Sequence, residues 1–230
     1  MNTVGIVGGI GPESTIEYYR KIVAGYCKRD AHGNYPQVII NSVNMQNMLG
    51  LIGAGEFDEV ADYLVVELNK LAAAGANFAL LASNTPHIVF DKVRQSSPIP
   101  LISIVEATCY KAKSFGMRRV ALFGTKFTMQ GGFYDEVFLQ HDIQVLTPND
   151  EDQGYIHNKY MGELLNGIIR DETKSGLLKI AEKMRLEHDV QGLILGGTEL
   201  SLIVQNEDIP SFTVLDTTEI HVESILESLE

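Results

Sequence analysis

The chain is poor in the residues that mark several large classes of protein. It has two cysteines in 230 residues, Cys27 and Cys109, and neither sits in a Cys-x-x-Cys pair or a metal-holding spacing. So few thiols exclude a disulfide scaffold and point to a reducing cytosol. Positive charge is also short: 18 Lys and Arg stand against 30 Asp and Glu, a net charge of −12. Nucleic acid and anionic membrane surfaces both need a basic face, so neither is expected as a partner. No apolar run is long enough to span a bilayer, and there is no low-complexity tract. The opening MNTVGIVGGIG has too short an apolar run for a secretion signal and reads as a first strand. The expectation is a soluble cytoplasmic protein, with chain enough for one large domain or two small ones.

What is present is alternation. Short, β-branched, nearly all-apolar runs fall at 3–8, 37–43, 78–82, 101–104, 119–124, 143–147, 192–196 and 212–215. Strands buried on both faces have this composition. Between them lie stretches of helical period, among them ESTIEYYRKIVAGYCKR and IHNKYMGELLNGIIRDE, several ending on glycine. Alternating β and α predicts an α/β fold with parallel sheets flanked by helices.

The chain also echoes itself. IPLISIVEAT (99–108) matches IPSFTVLDTT (209–218) with an offset of 110, Pro100 opposite Pro210 and Thr108 opposite Thr218. ASNTPH and GGTELS align with Ser83 opposite Gly197, an offset of 114. Similar offsets point to a duplicated βα module and two similar lobes. The expected division is 1–98 plus the C-terminal helix 209–230 for the first lobe and 99–208 for the second. Ligands of parallel sheets sit beyond the carboxyl ends of the strands, so two facing lobes are expected to share a cleft.

Four such strand ends are chemically loaded. In GGIGPEST (8–15), Gly9 and its neighbours allow a tight turn whose N–H groups can hold an anion. Ser14 breaks the dinucleotide fingerprint there, and no P-loop lysine follows. In ASNTPH (82–87), Ser83, Asn84 and Thr85 suit both a helix cap and a carboxylate site, and His87 is read first as structural. In FGTKFTM (123–129), Thr125 and Thr128 can donate to an anion beside Lys126. In GGTEL (196–200), Glu199 can orient a group or act as a base, or simply favour a helix N-terminus. The Gly-, Asn- and Met-rich segment 44–57 is open to two readings, a lid or a surface helix.

In this order the four junctions resemble the aspartate/glutamate racemase superfamily, amino-acid racemases that use no pyridoxal phosphate. TVGIVGGIGPESTIEYYRKI is similar to its N-terminal glycine segment, ASNTPH to its Cys-Asn-Thr-x-His motif, FGTKFTMQGGFY to its Leu-Gly-Thr segment and GGTEL to its Gly-Cys-Thr-Glu motif. The resemblance implies two pseudo-symmetric α/β lobes, a site between them, a homodimer and no cofactor or metal. It implies Asn84, Thr85, Thr125 and Thr198 as ligands of a small carboxylate or amino acid. It also implies a cysteine on each side of the substrate α-carbon, since racemisation needs an acid and a base on opposite faces.

Both cysteine positions are changed, to Ser83 and Gly197. Cys27 and Cys109 lie outside the motifs and are expected to be buried small hydrophobes. A serine hydroxyl is a poor base without a partner, and glycine supplies neither acid nor base, which leaves Glu199 or His87 for any proton chemistry. Loss of the second thiol implies a cavity beside position 197. Three readings follow: an amino-acid racemase with altered acid–base groups, a decarboxylase or isomerase on the same scaffold, and a non-catalytic carboxylate binder.

Overall fold

The computed structural model describes residues 2–210 and 213–229. Among these residues eight strands form two four-stranded sheets, and every pairing is parallel. The first sheet holds β1 (Thr3–Gly8), β2 (Gln37–Ser42), β3 (Phe78–Leu81) and β4 (Leu101–Ile102) in the order β2-β1-β3-β4. The second holds β5 (Arg119–Gly124), β6 (Gln144–Leu146), β7 (Gly192–Gly196) and β8 (Thr213–Asp216) in the order β6-β5-β7-β8. The two orders are the same order shifted by four strands, as a duplicated module requires. The expected strand at 212–215 is found at Thr213–Asp216, and Phe212 lies outside the described residues.

Among the described residues there are ten α-helices, nine between strands and one after β8. In the first half they are α1 (Pro12–Arg29), α2 (Met45–Ala54), α3 (Phe57–Ala73) and α4 (Phe90–Ser96). The others are α5 (Ile104–Ser114), α6 (Lys126–Gln130), α7 (Phe133–Leu139), α8 (Asp150–Gly162), α9 (Asp171–His188) and α10 (Thr217–Leu229). Helix α1 shows why such segments fold as they do. Pro12 opens its first turn, Glu13 sits at its positive end, and Lys28 and Arg29 sit at its negative end. Tyr18, Ile22 and Tyr26, spaced by four, form the buried face. Burying a side chain such as Ile22 contributes about 1.5–3 kcal/mol.

Two expectations need correction, and one reading left open, segment 44–57, is decided for the helix. The helix expected at 156–172 is α8, which starts at Asp150 because the Asn149 side chain accepts the Asp152 N–H (2.9 Å). It ends at Gly162, and a short 3-10 turn over Leu164–Asn166 closes on Gly167 in the left-handed conformation. Segment 44–57 is largely helix α2, capped by Asn44 and ended by left-handed Gly55, with Met48 and Ile52 buried. Of the two cysteines only Cys109 is buried, and burial raises its thiol to about 11; Cys27 is exposed in the last turns of α1.

The chain divides into two units, one of residues 1–104 with 221–230 and the other of residues 105–220. The sequence reading cut instead at 98/99 and 208/209. Strand β4 pairs with β3 and so belongs with the first sheet, and β8 pairs with β7 and so belongs with the second. Helices α5 and α10 each begin in the unit of the strand before them and run on in the other unit. Val222, Ile225, Leu226 and Leu229 of α10 join Val4, Ile6, Tyr18, Ile22 and Leu80 in the first unit's core.

His221 fixes α10 in that core. Its Nε2–H donates to the Ile102 carbonyl (3.0 Å), and its Nδ1 accepts the Tyr18 hydroxyl (2.8 Å). Burial lowers its pKa to about 4, so the folded protein holds it neutral. The unfolded chain takes up a proton near pH 6.5, and stability is therefore lost as pH falls from about 6.5 towards 4, by about 1.4 kcal/mol per unit. The unfolding free energy of His221→Gln, measured by urea titration at pH 6 and pH 4, is expected to fall less between these pH values than that of the wild type. Equal slopes would show that His221 does not carry this acid sensitivity.

Candidate functional site

In the first unit the expected residues gather at the carboxyl ends of β1 and β3, which are neighbours in the sheet. Gly9 is dictated by geometry: its φ is +83°, and a Cβ would lie 2.4 Å from the Val43 carbonyl. Its N–H donates to Thr15 Oγ1 (2.8 Å), so that N–H is engaged within the chain. The Ser14 hydroxyl donates to the Ala82 carbonyl (2.7 Å) and ties the start of α1 to the end of β3. Beyond Ala82 come Ser83, half-buried, and Asn84 and Thr85, both buried.

His87 is a structural residue of this turn. Its Nε2 accepts the Ile104 N–H (3.3 Å), and its Nδ1–H donates to the Ser83 carbonyl (3.0 Å). Burial, with the nearby His221 adding to it, lowers its pKa to about 3. Both ring nitrogens are engaged, so the imidazole is held as a neutral strut, stacked on Phe90 at 4.7 Å. The Ser83 hydroxyl makes no hydrogen bond to another described residue, and a serine hydroxyl without a partner is a poor base.

In the second unit the corresponding ends are those of the paired strands β5 and β7. Thr125 caps α6, accepting the Thr128 N–H (3.2 Å) with the two hydroxyls 3.1 Å apart. Thr128 is buried against the strand ends: a Cβ on Gly196 would lie 3.1 Å from its methyl group. Lys126 is exposed, and its N–H donates to His157 Nδ1 (3.1 Å).

Gly197 holds the main surprise. Its φ of −154° and ψ of 124° are extended backbone open to any residue, so conformation does not demand glycine. Space does. A Cβ there would lie 2.5 Å from Tyr160 Cε2, 3.0 Å from Cζ and 3.2 Å from the hydroxyl oxygen. The expected cavity is therefore not present: the Tyr160 ring, from α8, fills it. The Tyr160 hydroxyl donates to Glu199 Oε2, which also accepts the Thr198 hydroxyl (2.7 Å). Tyr160 and Glu199 are buried, while Thr198 is half-exposed. Burial, followed by the adjacent Glu199, holds the Tyr160 proton well above the usual phenol range. Sequence reasoning missed Tyr160, because it precedes Gly197 by 37 residues and sits in no motif.

Among the described residues no His, Cys, Asp and Glu cluster can hold a metal ion, and no helix is long and apolar enough to cross a membrane. Two parallel α/β units with polar strand ends define the class of protein, and the comparisons agree. The Asp/Glu/hydantoin racemase family matches residues 7–225. The broad-specificity amino-acid racemase RacX of Bacillus subtilis is 26% identical over 171 residues, covering 72% of this chain and 69% of that protein. The structure of an aspartate racemase homologue from Pyrococcus horikoshii superposes with a TM-score of 0.87 at 33% identity, covering 100% and 99% of the two chains. The aspartate racemase of Picrophilus torridus shares the fold at 20% identity, with a TM-score of 0.79 and coverage of 100% and 94%. The chain belongs to the Asp/Glu/hydantoin racemase family.

Restoring a side chain at 197 must contend with the Tyr160 ring. Gly197→Cys is expected to destabilise the protein by about 1–3 kcal/mol through overpacking. In a Tyr160→Leu background the same change is expected to cost less, a coupling that a double-mutant cycle of unfolding free energies reads directly. Strict additivity would mean that the two positions do not compete for one space.

Proposed function

We propose that this chain binds a small amino acid, foremost an acidic one, or a related dicarboxylate, at the carboxyl ends of its strands. There it moves the α-proton without a thiol pair. Membership of the racemase family supports the reaction class, and the names of the relatives support the substrate class: amino acids broadly, and aspartate in particular. On this reading Asn84, Thr85, Thr125, Thr128 and Thr198 hold the ligand's carboxylate and amino groups, with the Gly9 turn shaping the entry. Ser83 and Glu199 are the candidate proton-handling groups. Independence of pyridoxal phosphate, a cytoplasmic location and a homodimer belong to the same reading.

One observation carries it. The space that a side chain at 197 would need is taken by Tyr160, whose hydroxyl is hydrogen-bonded to the Glu199 side chain, itself bonded to Thr198. A site that had merely decayed has no need for a buried polar group matched to a buried acceptor, because burying either one alone is costly. A second reading, a non-catalytic carboxylate binder, draws on Ser83 and His87: the serine hydroxyl has no hydrogen-bond partner among the described residues, and the imidazole is fully engaged.

Proton NMR in D2O separates the two. Purified protein with L- and D-aspartate and L- and D-glutamate is expected to wash out the α-proton signal faster than a protein-free control. Ser83→Ala and Glu199→Gln are expected to slow the exchange by about 10²-fold or more, the usual weight of a positioned acid or base. Ligand line broadening without exchange would favour the binder. Neither exchange nor broadening would remove acidic amino acids from the reading.

A further inference from the structure

The chain passes between its two units twice, after Ile104 and again before His221. A buried imidazole holds each passage. His221 is itself the first residue past the second one, and its Nε2–H donates to the Ile102 carbonyl (3.0 Å). His87, from the 3-10 turn Thr85–Val89, accepts the N–H of Ile104 (3.3 Å). The two rings therefore grip the same three residues, Ile102–Ile104, where β4 gives way to α5. One holds them by a carbonyl and the other by an N–H, and all these residues belong to the first unit. We propose that His87 and His221 form an acid-sensitive latch on both passages, which takes up two protons as one event when α10 and the Thr85–Val89 turn come away together.

The hydrogen bonds require neutral rings. The Ile104 N–H needs a lone pair on His87 Nε2, and the Ser83 carbonyl at Nδ1 (3.0 Å) needs a hydrogen there. A second proton on His87 would set two N–H groups against each other. A proton on His221 Nδ1 would force the Tyr18 hydroxyl, 2.8 Å away on α1, to accept where it now donates. Both rings are buried, and neither is paired with a carboxylate among the described residues. Burial is the largest obstacle to charge on each. Charge on His221, and on Arg94 from α4, further opposes charge on His87; the backbone of Ser83 and Asn84 favours it without outweighing burial. The Ile102 carbonyl does the same for His221. The folded rings thus stay neutral down to about 3 and about 4, whereas a released imidazole takes its proton near pH 6.5. As pH falls below 6.5 each released ring favours the open state, until the folded rings themselves titrate. Because the two rings share Ile102–Ile104, loss of one grip frees the residues that the other holds. The latch is independent of what the Ser83–Thr85 stretch binds.

Hydrogen–deuterium exchange of the full chain at pH 6 and pH 5, corrected for the chemical exchange rate, reads the opening of each segment. Both α10 and the Thr85–Val89 turn are expected to open about 50-fold more readily at pH 5, the rise that two imidazoles give when released together. One imidazole released alone gives about 7-fold. His87→Gln removes one titrating ring and is expected to bring the rise in both segments down to about 7-fold. The wild-type measurement decides the matter even where that variant does not fold. A wild-type rise of about 7-fold in α10, or a rise in α10 that the turn does not share, shows the two rings acting separately and overturns the latch. A rise of equal size in β5 and β7 means that the whole molecule opens, and overturns it as well.

Discussion

Parallel strands covered on both faces have one place for polar chemistry, and that is their ends. Val4, Ile6, Val7 and Leu80 in the first sheet, and Val120, Leu122, Ile194 and Leu195 in the second, are essentially inaccessible to solvent. An unpaired polar side chain in those layers would cost free energy on the scale of a lost hydrogen bond or more. The polar groups are driven to the turns where strand gives way to helix, and there the backbone itself sets the terms. Gly8 closes its strand against Thr15, which would collide with a Cβ there, and Gly124 closes its strand against Thr128 and the Gly196 carbonyl, which leave a Cβ no room. Each sheet thus ends in the same glycine–threonine contact, and the candidate ligand residues are arranged around it.

Position 197 shows how one neighbouring ring can dictate a glycine. Glycine there answers no backbone strain, since its dihedrals are those of an ordinary extended residue. It answers the ring of Tyr160, which brings volume, a hydroxyl and a partner carboxylate into the same space. The residue at 197 and the ring at 160 are therefore a single choice of packing. His87, by contrast, sits in a motif that invites a catalytic reading, yet its two hydrogen bonds and its burial make it part of the turn's framework.

Much of the fold was legible because apolar runs ended by glycine mark their own boundaries: TVGIVG, RVALFG and GLILG fall where β1, β5 and β7 are found. The repeat was legible for the same reason, since it rests on strands and the turns that follow them. Segment 156–172 was misplaced because its apolar period outlasts the helix, while the deciding signals were the Asn149 cap and the left-handed Gly167. The site's local parts could be read from its motifs. Tyr160 could not, because a contact between the end of a strand and a helix two elements earlier leaves no mark in either stretch of sequence. Cys27 illustrates the converse: it lies one residue beyond the buried Tyr26, and that single step around the helix turns it outward.

Helix α10 has a consequence for the order in which the molecule can be made. The first unit is discontinuous: the apolar face of α1 is completed by Val222, Ile225, Leu226 and Leu229, which follow the whole second unit in sequence. The second unit is continuous, from Val105 to Ile220. A ribosome delivers the first sheet before the second, yet the first unit's core stays unfinished until α10 emerges. The half that is synthesised first is therefore the half that is completed last, and it must carry uncovered apolar surface through the synthesis of everything in between.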